Sequence, residues 1–229
     1  MPRPRRLNIA GIPQHITQRG NNRQACFFCD EDRVTYLDIL RRSARRRRCD
    51  IHAYVLMTNH VHLLLTPLMP EGASRFMQDV GREYVQYVNK AYQRCGTLWQ
   101  GRFRSSLVHS ADYCLTCYRY IELNPVRAGM VPSPAEYFWS SHRCNAMGWE
   151  NDLITPQEEW LSLGQSKDAR CAAYRTLFEQ AANDERLAEI RYCNRKGLPL
   201  GDPSFKVQIE SHLRVRLGNG KVGRPRKPD

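Results

Sequence analysis

The sequence predicts an α/β (α+β) fold, a sheet with helices packed on it. Short runs rich in β-branched residues alternate with longer stretches whose apolar residues recur near the 3.6 period. The runs Ile51 to Met57 and His60 to Thr66 are separated only by Thr58-Asn59, as two adjacent strands or one bent strand would be. At 229 residues the chain can bury one substantial core with a smaller appendage.

The first element is a strand in "IPQHITQRGNNRQ", where β-branched and polar residues alternate up to Arg19 before a Gly-Asn-Asn turn. A helix should follow in "DEDRVTYLDILRRSARRRRCD": acids in its first turn and arginines in its last suit the helix dipole, with Val34, Leu37, Leu40 and Ala44 on one stripe. After the paired β runs, Ser74 to Arg94 carries Phe76, Val80, Tyr84, Tyr87, Val88 and Ala91 at helical spacing. "GTLWQGRFRSSLVHS" leads into another strand-like stretch. A third helix begins at a capping Ser110, and Pro125 should end it at or just before Asn124. Beyond "WSSHRCNAMG" the texture becomes helical, with Thr155-Pro-Gln-Glu as a helix start. We therefore divide the chain into a main domain, 1–150, a helical extension, 151–218, and a basic tail, 219–229, expected to be disordered when alone.

Charge and cysteine content narrow the function. The net charge of +12 is carried more by arginine than lysine, and the guanidinium fork matches phosphate oxygens, so nucleic acid is the expected partner. No run of eighteen apolar residues exists and the N-terminus lacks a signal-peptide core, which predicts a soluble, cytoplasmic protein, nucleoid-associated and free of membrane. Nine cysteines without an export signal argue for reduced thiols. Cys26/Cys29 and Cys114/Cys117 have zinc-knuckle spacing, but the first pair lies among aromatics and the second inside a helical pattern, so a zinc ribbon is disfavoured.

The stretch "TNHVHLLLTP" carries the chemistry. Alternation along a strand puts His60 and His62 on one face. Such a pair is either two hydrogen-bonded core histidines or half of an open metal site. The helix "CYRYIELNPVRAGMV" supplies complements to the second reading: Tyr120 and Asn124 stand at i and i+4, one above the other, as a nucleophile and an amide-oxygen ligand. Taken alone, each reads more readily as a core tyrosine and a helix end before proline. Tyr118 points about 200° away around the helix, while Tyr113 shares the face of Tyr120 and is a minor rival.

The blocks "HITQRGNNRQACFF", "HAYVLMTNHVHLLL", "LWQGRFRSSLV" and "YRYIELNPVRAGMV", in this order, resemble the single-tyrosine HUH transposases, and more closely the REP-associated tyrosine transposases of bacteria. The resemblance spans roughly residues 1 to 147. It implies a ferredoxin-like antiparallel sheet of the HUH endonuclease type, with His60 and His62 on a central strand and Tyr120 on a helix facing them. It further implies Mg²⁺ or Mn²⁺ held by His60, His62 and Asn124, and single-stranded or hairpin DNA cut through a 5′-phosphotyrosine. Better-known relatives have glutamine where this chain has Asn124, whereas the REP-associated branch has asparagine. A monomer and a homodimer are both admissible.

For DNA contacts the sequence nominates Arg19, Asn21 and Asn22 at the first turn, Arg102 and Arg104 in "QGRFRSS", and Arg127 after the tyrosine helix. Trp99 and Phe103 lie among them as base-stacking platforms or as core. Arg224 and Arg226 in "VGRPRK" suit a minor-groove arm or a solubilising tail. The rival reading is a catalytically silent sequence-specific DNA-binding protein or repressor on the same fold. The coexistence of Tyr120, Asn124 and both histidines favours the enzyme.

Overall fold

A computed structural model describes residues 6–179 and 184–217. Its first half runs β1 (Gln14–Arg19), α1 (Asp30–Arg47), β2 (Cys49–Met57), β3 (His60–Pro67), α2 (Gly72–Ala91) and β4 (Arg104–Leu107). The strands lie in the order β2-β3-β1-β4, every neighbouring pair antiparallel. A β-α-β-β-α-β chain with this order is the ferredoxin-like arrangement. The two β runs are thus separate strands, turned at Thr58-Asn59.

Helices α1 and α2 cover one face of the sheet. Ile16, Ile51, Leu63 and Leu65 from the strands pack there against Tyr36, Leu40, Phe76, Val80 and Tyr84 from the helices, all essentially without exposure. Each such aliphatic side chain taken from water contributes about 1.5–3 kcal/mol. The buried stripe of α1 differs from the expected one. Tyr36, Ile39, Leu40, Ser43 and Ala44 face inward while Val34 is 51% exposed, because the large ring of Tyr36, stacked edge-on with Phe27 and Tyr84, sets the helix's rotation. The arginines ending α1 are paired: Arg45 with Asp152, Arg46 and Arg47 with Asp79.

The opposite face of the sheet receives α3 (Ser110–Glu122), followed by α4 (Asn124–Arg127), α5 (His142–Met147), α6 (Glu158–Leu161), α7 (Lys167–Glu179), α8 (Asp184–Lys196) and α9 (Pro203–Leu213). Helix α3 stops two residues before Asn124, with Pro125 in the first turn of α4, as the proline requires. His109, rather than Ser110, is its N-cap. Ala53, Val55 and Leu64 of the sheet share one hydrophobic cluster with Cys114, Cys117 and Ile121 of α3, Tyr174 of α7, and Ile190 and Cys193 of α8. Of the helices after residue 150, α8 packs on β4 and β1 of the sheet, α6 packs on α3, and α7 on α5 and α6.

Behind α3 lies a buried polar knot. The Glu122 carboxylate accepts hydrogen bonds from Ser141 Oγ (2.6 Å), Asn145 Nδ2 (2.8 Å), Tyr174 OH (2.9 Å) and His142 Nδ1 (3.0 Å). A carboxylate with no exposure needs such partners, and these four tie α3 to α5 and α7.

Candidate active site

Strand alternation sets the composition of the site. On β1, His15, Thr17 and Arg19 project from the face covered by α3, and the register puts Thr17 opposite His62 and Arg19 opposite His60 on β3. The turn entering the site is tight: Gly20 donates its backbone N–H to Asn59 O at 2.8 Å, and a Cβ there would stand 2.3 Å from Gln24 O, so only glycine fits.

Four rings converge above this face. The rings of His60 and His62 are 5.1 Å apart, and those of His62 and His15 stack at 5.1 Å. Tyr120 meets His62 and His15 edge-on at 5.6 and 5.5 Å. Arg127 lies over the Tyr120 ring, its Cζ 4.6 Å from the centroid, and donates to the Tyr120 carbonyl. Tyr118 is fully buried against Tyr174, and Tyr113 is outside the cavity lining.

These groups line a cavity of about 560 Å³ together with seven arginines, Arg19, Arg23, Arg102, Arg104, Arg127, Arg191 and Arg195, and, among the described residues, no carboxylate. Of the residues nominated from the sequence, His60, His62, Tyr120, Asn124, Arg19, Arg102, Arg104 and Arg127 all face this cavity. Asn21 and Asn22 sit in the adjoining 3-10 turn without lining it. Trp99 is core, 5% exposed against Tyr36 and Tyr84, and Phe103 packs beside the same cluster under the Arg6 guanidinium. Neither is in the cavity lining, because an indole at the end of β1 has more apolar surface to bury beneath the sheet than above it. Arg224, Arg226 and the 219–229 tail lie outside the described residues.

Burial controls the protonation of the imidazoles. Desolvation, with Arg19 nearby, lowers His60 to about 4. His62 is held well below the ordinary histidine value by burial first, then by His15, His60, Arg127 and Arg19. His15, fully enclosed, is lowered to about 3. All three are neutral at pH 7, the form that can ligate a metal.

The hydrogen bonds leave one electron-donating atom uncommitted on each of three side chains. Asn59 donates its Nδ2 to Arg23 O (3.0 Å), so its Oδ1 accepts from His60 Nδ1 at 2.6 Å, and His60 Nε2 keeps its lone pair. His62 engages His15 Nε2 (2.9 Å) and Thr17 Oγ1 (3.0 Å) through Nδ1, leaving its Nε2. Asn124 donates Nδ2 to the carbonyls of Tyr120 (2.9 Å) and Ile121 (3.3 Å), leaving Oδ1. Two imidazole nitrogens and an amide oxygen are atoms that can donate to a divalent cation. Among the described residues no group of three or more His, Cys, Asp or Glu is arranged to hold a metal, and Cys26, Cys114 and Cys117 are buried free thiols.

Sequence reasoning did not nominate His15, Thr17, Arg191, Asn194 or Arg195. The first two were accessible by counting back in twos from Arg19. The last three, on a helix about 130 residues after β3, carried no local signal.

No helix of the described residues is long and apolar enough to cross a membrane. None of the curated proteins matches the chain significantly. Among solved structures, a REP-associated tyrosine transposase bound to a REP hairpin is similar in fold, with a TM-score of 0.54 and 22% identity, over 69% of this chain and 93% of that one. A candidate transposase from Deinococcus radiodurans R1 is 15% identical over 57% of this chain and 96% of that one, with a TM-score of 0.36. The family model for IS200-like transposases matches residues 9–124, more than half of the chain and every strand of the sheet. This protein belongs to the IS200-like transposase family.

Proposed function

We propose that the protein is a metal-dependent DNA strand transferase that cuts single-stranded or hairpin DNA through Tyr120. One observation carries this reading: the Tyr120 ring, from α3, packs edge-on against His62 in the cavity that also receives His60 and Asn124. Tyr120 also packs into the core on this face of the sheet, but seven arginines gathered around the same rings are what a polyanion site needs and a core does not.

His60, His62 and Asn124 would hold Mg²⁺ or Mn²⁺, which when bound supplies Lewis-acid stabilisation of charge on a non-bridging phosphate oxygen. The chain's own residues do the rest. The Tyr120 phenol oxygen attacks phosphorus after losing its proton, and the bond from phosphorus to the 3′ oxygen breaks. The products are a 5′-phosphotyrosine and a strand ending in a 3′-hydroxyl once that oxygen gains a proton. Reversal by another 3′-hydroxyl joins strands without ATP. Arg127, over the ring, offers its guanidinium to the same phosphate.

Covalent capture tests the reading. A 3′-labelled hairpin oligonucleotide incubated with Mn²⁺ should yield a labelled protein band stable to denaturation. An adduct formed equally well by Tyr120→Phe would remove Tyr120 from the role.

A further inference from the structure

Helix α8 follows the family-matched segment by sixty residues, yet it forms a wall of the cavity. Its seat is built. Ile190 and Cys193 are buried against the sheet, Asn194 donates its Nδ2 to His15 O at 2.9 Å, and Leu200 beyond its end exchanges backbone hydrogen bonds with the β4 edge. With that face buried, Arg191 and Arg195, one helical turn apart, present to the cavity.

Their electrostatics differ from those of the arginines in the second half of α1. Arg41, Arg42, Arg45, Arg46 and Arg47 on α1 each have a carboxylate partner. Among the described residues no carboxylate forms an ion pair with Arg191 or Arg195, and Arg191 stands close enough to Arg127 to oppose its charge. Cations gathered without counter-charge destabilise the free protein and are relieved by a polyanion.

We infer that α8 is part of the nucleic-acid-binding surface, with Arg191 and Arg195 each contacting a backbone phosphate of the single strand that enters the Tyr120 cavity. The inference rests on the cavity taking DNA, as proposed above. Side chains on a helix seated beside His15 would fix the strand's path past the phenol without reading its bases.

The test is salt-dependent binding of a fluorescein-labelled single-stranded hairpin to the full chain, followed by anisotropy. Losing two phosphate contacts should lower the slope of log K against log salt by about 1.4, at about 0.7 per contact. Between 50 and 200 mM salt the unmodified protein should therefore lose about sevenfold more affinity than Arg191→Gln/Arg195→Gln. Arg42→Gln/Arg46→Gln, with the same charge change on α1, should leave the slope unaltered. An unchanged slope in the α8 variant, with tight binding by the unmodified protein, would overturn the α8 assignment alone. An equal effect of the α1 variant would overturn it too, by tracing the loss to net charge. Absence of salt-sensitive binding by the unmodified protein would overturn both this inference and the proposed function.

Discussion

Lowering the pH from 7 to 5 should destabilise the protein through its enclosed imidazoles, and His15 isolates the effect. An unfolded histidine titrates near 6.5, whereas His15 in the folded protein is held to about 3. Between those values the unfolded chain binds a proton that the folded one does not, so stability present above about pH 6.5 is lost as pH falls. At pH 5 the unfolded imidazole is almost wholly protonated and the folded one almost wholly neutral, a loss of about 2 kcal/mol relative to pH 7. His60, at about 4, contributes a similar loss, and His52 and His62 shift in the same direction. The carboxylates of Asp79 and Asp202 are held low and titrate beneath this window. Urea titrations at pH 7 and pH 5, without divalent metal, should then find that His15→Gln loses about 2 kcal/mol less than the unmodified protein. Equal losses would mean that His15 takes a proton while folded, and the argument that burial keeps these rings ready for a metal would fail.

Replacement of Tyr120 by phenylalanine keeps the ring contacts and should reduce adduct formation more than about a thousandfold while leaving hairpin binding largely intact, as gel capture and anisotropy would measure. His60→Ala or chelation of divalent ions should abolish cleavage, and calorimetry with Mn²⁺ should find binding lost in the variant; cleavage that persists in either case contradicts the metal assignment. Glu122→Ala removes the shared acceptor of four buried donors, of which only Ser141 and Asn145 keep another in Tyr54 O and His52 O, and should cost about 3–5 kcal/mol in urea, a loss below about 1 kcal/mol refuting the account of the knot.

Much of the site was legible because its elements are local. Alternation on β3 and the four-residue step from Tyr120 to Asn124 are properties of single strands and helices, so spacing alone puts each pair on one face. That the two faces meet depends on α3 crossing the sheet, which the family resemblance implied and the contacts of Tyr120 with His62 display. The stripe on α1 went astray because apolar character at Val34 competes with a larger ring at Tyr36, and only the packing around Phe27 and Tyr84 decides between them.

The sequence by itself determined the α/β class, the alternation of strands with the three long helices of the first half, the polyanion-seeking charge, and the paired imidazoles, phenol and amide, since all follow from residue types at short spacing. Tertiary structure alone decided that Trp99 is core, that His15 stacks on His62, and that α8 brings Arg191 and Arg195 into the lining of the cavity that holds Tyr120. Those outcomes depend on which apolar faces find each other across long stretches of chain, and no local pattern encodes a distance between residues that far apart.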